Sequence, residues 1–153
     1  MKLWPSGIWV LVATMLLTLW GVAAAERTYV GSRTCASCHE QEYKNYSTYA
    51  KKSHSFNAVE KMAAGLTAAE LRECYTCHTT GYGKPGGFVS KEATPELRDA
   101  GCEVCHGPGS AHAESGAAAD IDRHPTMETC QTCHTTSRVA AFSFRPLIYG
   151  GAH

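Results

Sequence analysis

The stretch Gly101-Cys102-Glu103-Val104-Cys105-His106 holds the arrangement on which the fold turns: two cysteines two residues apart, with histidine directly after the second. It recurs at Cys35-Ala36-Ser37-Cys38-His39, Cys74-Tyr75-Thr76-Cys77-His78 and Cys130-Gln131-Thr132-Cys133-His134, and the four copies use all eight cysteines of the 153-residue chain. C-x-x-C-H is the attachment pattern of c-type haem. Two thiols three positions apart lie on one side of a turn and add across the two vinyl groups of the porphyrin. The adjacent histidine then sits under the iron as its proximal ligand.

Three other uses of paired cysteines fit less well. Disulfides do not require a histidine after every pair. Zinc takes Cys₂His₂ sets, but its histidines usually stand several residues from the cysteines. A thioredoxin-like redox site would have one motif rather than four. Only four of the other 149 positions are histidine, so four adjacent histidines by chance is on the order of one in a million. The sequence therefore predicts four covalently attached haem c groups, held by Cys35, Cys38, Cys74, Cys77, Cys102, Cys105, Cys130 and Cys133. His39, His78, His106 and His134 are the expected proximal iron ligands.

Ahead of the motifs, Lys2, a run of 13 residues from Ile8 to Trp20 broken only by Thr14 and Thr18, and Ala23-Ala24-Ala25 have the layout of a secretory signal peptide. Residues 1–25 read as that leader and 26–153 as one tetrahaem domain. Left uncleaved, residues 3–25 are long enough to anchor the protein in a membrane, and no second apolar stretch reaches a membrane span. The expected location is the periplasm, with the cell surface or exterior as the other destination of an exported chain. All three Trp fall in the leader, and residues 26–153 keep 4 Leu, 2 Ile, 5 Val and 4 Phe in 128 positions. So low a content normally marks disorder, but disorder usually brings high net charge. Here 13 Lys and Arg face 14 Asp and Glu, a net of −1. Four macrocycles can supply the missing core. A near-neutral chain also offers no footprint for nucleic acid. Two propionates on each ferric haem would bring the charge to about −5, which favours redox partners with a basic docking surface.

The motifs begin at 35, 74, 102 and 130, as imperfect repeats with one haem-binding turn each. Glu40 to Ala50, free of Gly and Pro, reads as a helix. Thr67-Ala68-Ala69-Glu70 is a capping box opening a helix into Cys74. Thr94-Pro95-Glu96 predicts a helix that Gly101 closes, and Thr126 a cap for a helix leading to Cys130. Gly81 to Gly87 is a turn, and Ser110 onward reads as helical. No alternating strand pattern is evident. The expected fold is mainly α, with short helices and loops wrapped around four covalently bound c-type haems and little or no sheet.

Four histidines lie outside the motifs: His54, His112, His124 and His153. Four spare imidazoles for four irons predict bis-His coordination, while Met62 and Met127 read as packing residues. His112 follows His106 by six residues, a reach of about 20 Å at full extension. That is too short to round a macrocycle from a helical start, so His112 is expected to serve another motif's iron. The haems must also lie close together, because a compact chain of this size has a radius of gyration of about 14 Å.

The residues around the motifs resemble the tetrahaem cytochrome c-554 family. The likeness rests on Tyr29-Val30-Gly31-Ser32 before the first motif, Lys52-Ser53-His54, C-H-T-T-G-Y at 77–82 with Gly86-Gly87-Phe88, G-C-E-V-C-H-G-P-G-S-A-H at 101–112, and Phe142-Ser143-Phe144. The resemblance implies that Gly107-Pro108-Gly109 is a turn presenting His112 as a distal ligand, with His54 and His153 in the same role. The family's type member leaves one haem without a distal ligand, and this chain departs from it in having His124 to spare.

These readings predict an exported carrier that passes electrons between redox partners through closely spaced, mostly bis-His haems. Two alternatives stay open. One is a reductase of a small nitrogen species at a five-coordinate haem, with His124, Tyr82 or Arg123 as the polar group nearby. The other is a homo-oligomer or filament of haem subunits in which His153 ligates a neighbour's iron.

Overall fold

The computed structural model describes residues 26–135. The expected signal peptide, Phe142-Ser143-Phe144 and His153 lie outside the described residues. Seven short helices follow one another: α1 (Ser32–Cys35), α2 (Glu40–Tyr49), α3 (Phe56–Met62), α4 (Ala68–His78), α5 (Cys102–His106), α6 (Ser110–Ser115) and α7 (Met127–Gln131), joined by 3₁₀ turns and loops. The mainly-α expectation is met, and the described residues contain no strand. None of their helices is long and apolar enough to cross a membrane.

Local signals account for most of these helices. At the start of α4 the Thr67 hydroxyl accepts from Glu70 N at 3.3 Å while the Glu70 carboxylate accepts from Thr67 N at 2.8 Å, the reciprocal bonds of a capping box. The helix then runs through the second motif and ends on His78. α2 starts directly after His39 with Glu40 and Glu42 in its first turn, where acids oppose the helix dipole. Thr126 stands at the start of α7, though its side chain makes no capping bond.

One expected helix is much shorter than its signals imply. Thr94-Pro95-Glu96 opens only a 3₁₀ turn, Pro95–Leu97. The Thr94 hydroxyl is drawn backward instead, accepting from Val89 N at 2.9 Å and donating to Ser90 O at 3.2 Å. Beyond the turn, Ala100 N donates to Ser55 Oγ at 2.8 Å and Gly101 N to Thr80 Oγ1 at 2.9 Å. Tertiary acceptors have replaced the helix ladder, so Gly101 caps the start of α5 rather than the end of a preceding helix.

The apolar core is small. Phe56, Val59, Phe88 and Leu97 are buried, with Tyr29, Leu71, Cys74, Tyr75 and Tyr82 packed around them. Tyr75 meets Phe88 and Tyr82 edge-on at 5.3 Å between ring centres, and Phe56 lies 6.0 Å from Tyr75. The 81–87 turn sits against this cluster. A Cβ on Gly87 would fall 1.8 Å from the Gly81 carbonyl oxygen, so only glycine allows the loop to close. Among the described residues, no aliphatic or aromatic residue is buried outside this cluster except Tyr46, Ala50 and Ala100.

So small a core, with no helix among the described residues longer than the 11 residues of α4, implies that the haem-free chain does not fold. Replacing the eight motif cysteines with serine is expected to abolish cooperative thermal unfolding, as followed by far-ultraviolet circular dichroism. A sigmoidal transition in that variant would contradict the expectation.

Candidate functional site

Each motif occupies one helical turn. In the first and fourth, the histidine N–H donates to the carbonyl of the first cysteine at 2.9 Å, His39 to Cys35 and His134 to Cys130. The second and third lie within α4 and α5. Residues three and four apart share a helix face, so the two sulfurs and the imidazole of each motif project from one side of the chain. That is the geometry covalent haem attachment requires, and the eight cysteines fit four such groups.

The turns are not spread evenly. The first and third are in contact: Cys102 N donates to Ser32 Oγ at 3.0 Å, and a Cβ on Gly101 would stand 2.4 Å from that oxygen. Cys35 and Cys102 share a hydrogen bond, which lowers the Cys102 thiol to about 6 and, with burial, raises Cys35 well above its ordinary value. The second and fourth turns also meet. The Cys133 thiol lies 4.0 Å from Thr76 O and close to Cys77, and burial pushes it up to about 11. Cys105 of the third turn sits near enough to Cys130 and Cys133 of the fourth to influence both thiols. The first turn thus meets the third, the second meets the fourth, and Cys105 brings the third close to the fourth.

Three imidazoles are oriented by backbone carbonyls. His78 Nδ1 lies 2.8 Å from Ser55 O, His106 Nδ1 2.6 Å from Asp122 O, and His112 Nδ1 2.9 Å from Ala117 O. A carbonyl can only accept, so each Nδ1 carries the proton and each Nε2 presents a lone pair. This is the second-sphere arrangement usual for a metal-bound histidine.

The ring centres of His39 and His112 are 6.1 Å apart with their planes inclined by 25°. Direct face contact would need about 3.5–4.0 Å. Two metal–imidazole bonds of about 2.0–2.1 Å, plus about 1.1 Å from each donor nitrogen to its ring centre, give about 6.3 Å. The observed separation of the ring centres is close to that figure. His112 is brought to the first motif and not to its neighbour His106, as its short reach requires. His54 ends the 3₁₀ turn Lys51–His54 and is exposed, and His124 is exposed with its backbone N–H donating to Asp122 Oδ1 at 2.9 Å. Met62 and Met127 are also exposed, at 61% and 37%.

Nothing in the sequence points to Ser55. Its carbonyl holds His78 Nδ1, its hydroxyl donates to His78 O at 2.8 Å, and the same oxygen accepts from Ala100 N at 2.8 Å. A lone serine after His54 carries no pattern, and its partners lie 23 and 45 residues away. Removing the hydroxyl leaves two backbone groups without that partner. The Ser55→Ala variant is expected to lose about 1–3 kcal/mol of stability in the haem-loaded protein, measured by denaturant titration.

Comparison with known proteins agrees with this geometry. Residues 34–107 match the model of a family described as cytochrome c554 and c-prime. The chain is 29% identical over 154 aligned residues to cytochrome c-554 of Nitrosomonas europaea, a match covering 81% of this chain and 66% of that protein. It therefore spans just under two thirds of that relative's length. The solved reduced state of cytochrome c554 from Nitrosomonas europaea shares the fold at a TM-score of 0.61 and 20% identity, over 84% of this chain and 86% of that one.

Proposed function

We propose that this chain is a multihaem c-type cytochrome of the cytochrome c-554 family that carries electrons in the periplasm between two protein partners, with mostly bis-His irons; the match of residues 34–107 to that family's model and the likeness to cytochrome c-554 support the reading. A bound haem c supplies a one-electron iron couple, while the protein sets its position, ligands and surroundings. The motif cysteines tether each group by thioether bonds. His39, His78, His106 and His134 stand beneath as proximal ligands, with His112, His54, His124 and the terminal His153 as the distal set.

The observation that carries this reading is the His39–His112 pair, 6.1 Å apart across 73 positions of chain. Imidazole on both sides of an iron favours a low potential, since methionine is the ligand that raises it. The contacts between motifs support a relay rather than a single reaction centre, because every motif touches at least one other. Propionate charge added to the near-neutral chain makes the loaded protein acidic, which suits partners with a basic docking surface.

Carbon monoxide tests the coordination. The loaded wild-type protein is expected to show only low-spin bands and no carbon monoxide adduct, and His112→Ala to open about one iron in four. A reactive high-spin fraction of that size already present in the wild type would favour the small-nitrogen-species reductase instead.

A further inference from the structure

Glu103 lies inside the third motif, between its two cysteines, yet takes no part in holding a haem by sulfur or imidazole. It is 3% exposed. Its carboxylate accepts from Gly109 N at 2.7 Å and Val30 N at 3.0 Å through Oε1, and from Gly31 N at 2.8 Å and Val30 N at 3.2 Å through Oε2. Three backbone amides from two distant segments thus converge on one buried side chain. Burying a carboxylate is costly unless its oxygens are satisfied, and here backbone N–H groups satisfy them.

The two segments lead to the two members of the spaced histidine pair. Gly31 caps α1, the helix that carries Cys35 and leads to His39. Gly109 precedes α6, which carries His112. Ser110 adds a second clamp on the same pair of segments, with Thr28 N donating to Ser110 Oγ at 2.8 Å and Ser110 N to Thr28 O at 3.1 Å. The fit at Gly109 is close: a Cβ there would stand 3.0 Å from Glu103 Oε1 and 3.4 Å from Val30 Cγ2.

We propose that Glu103 is a positioning residue for the first motif's iron: its buried carboxylate fixes the backbone leading to His39 and the backbone leading to His112, and so holds the two imidazoles at the separation that takes one metal ion. This rests on the axial reading of that pair. The role belongs to the third motif's own turn but acts on the first motif's iron. Loss of the carboxylate should therefore disturb one haem in a set of four.

The test uses the full-length, haem-loaded protein as wild type, Glu103→Ala, Glu103→Gln and His112→Ala, with carbon monoxide difference spectra and potentiometric titration on each. Glu103→Ala is expected to raise the carbon monoxide-reactive, high-spin fraction from none to about one iron in four, leaving the titration of the other three unchanged. Glu103→Gln keeps one acceptor oxygen for Gly109 and Val30 and loses the bond to Gly31. It should load with haem like the wild type and show a smaller reactive fraction at the same iron, a graded result that a general loss of stability would not produce. Should Glu103→Ala fail to accumulate, Glu103→Gln decides alone, and a wild-type spectrum in it would overturn the proposal. So would a Glu103→Ala protein with four low-spin irons, or one with all four disturbed. A reactive iron in His112→Ala but in neither Glu103 variant rejects the positioning role and keeps the axial pair. No reactive iron in His112→Ala rejects the axial pair, and the proposal with it.

Discussion

The contact between the first and third motifs is the constraint to which the remaining structure answers. Gly101 has no side chain because Ser32 Oγ occupies the place a Cβ would take, and Cys102 N is bonded to that same oxygen. With the two turns pressed together, the backbone on either side must be satisfied by whatever lies at hand. Thr80 Oγ1 takes Gly101 N and gives its own proton to Asp99 O at 2.6 Å. Tyr46 reaches across to Ala100 O at 3.1 Å, and burial raises its phenol well above the ordinary value. Asp99 Oδ1 accepts from Phe56 N at 2.9 Å, tying α3 to the same spot. Along residues 97–102, Asp99, Ala100, Gly101 and Cys102 each bond to a distant segment, and the hydroxyls of Ser32, Tyr46, Ser55 and Thr80 supply most of those partners.

Backbone carbonyls orient three imidazoles, and two of those carbonyls lie 16 and 23 residues away along the chain. Ser55, whose carbonyl holds His78, directly follows His54. Asp122, whose carbonyl holds His106, lies two residues before His124. A carbonyl cannot titrate and cannot turn without its peptide unit, so the tautomer of each ring is set by main-chain position. Ligand geometry is consequently a property of how the segments pack.

Much of this was legible from sequence, and the division has a physical cause. Four C-x-x-C-H units, the Thr67–Glu70 capping box and the polar run after His39 are local signals, and each produced the expected element. The Thr94–Gly101 helix failed because its cap and final turn had better partners elsewhere, at Ser90, Val89, Ser55 and Thr80. Reach along the chain set His112 apart from His106 but could not place it beside His39, a proximity that depends on how distant segments pack. Glu103 and Ser55 were opaque for the same reason: their roles exist only across 72 and 23 residues of separation.

The pairing of turns has a consequence for how such a chain can come into being. First joins third, and second joins fourth, so the two contacts interleave along the sequence. Cys35 cannot meet Cys102 until 67 further positions have been made, and by then Cys77 is still waiting for Cys133. No cut leaves either side with a complete pair and nothing else, although the repeats look like modules that could be added or lost one at a time. Contacts this far apart also close slowly. The growing polypeptide therefore completes neither contact until most of its length has been made.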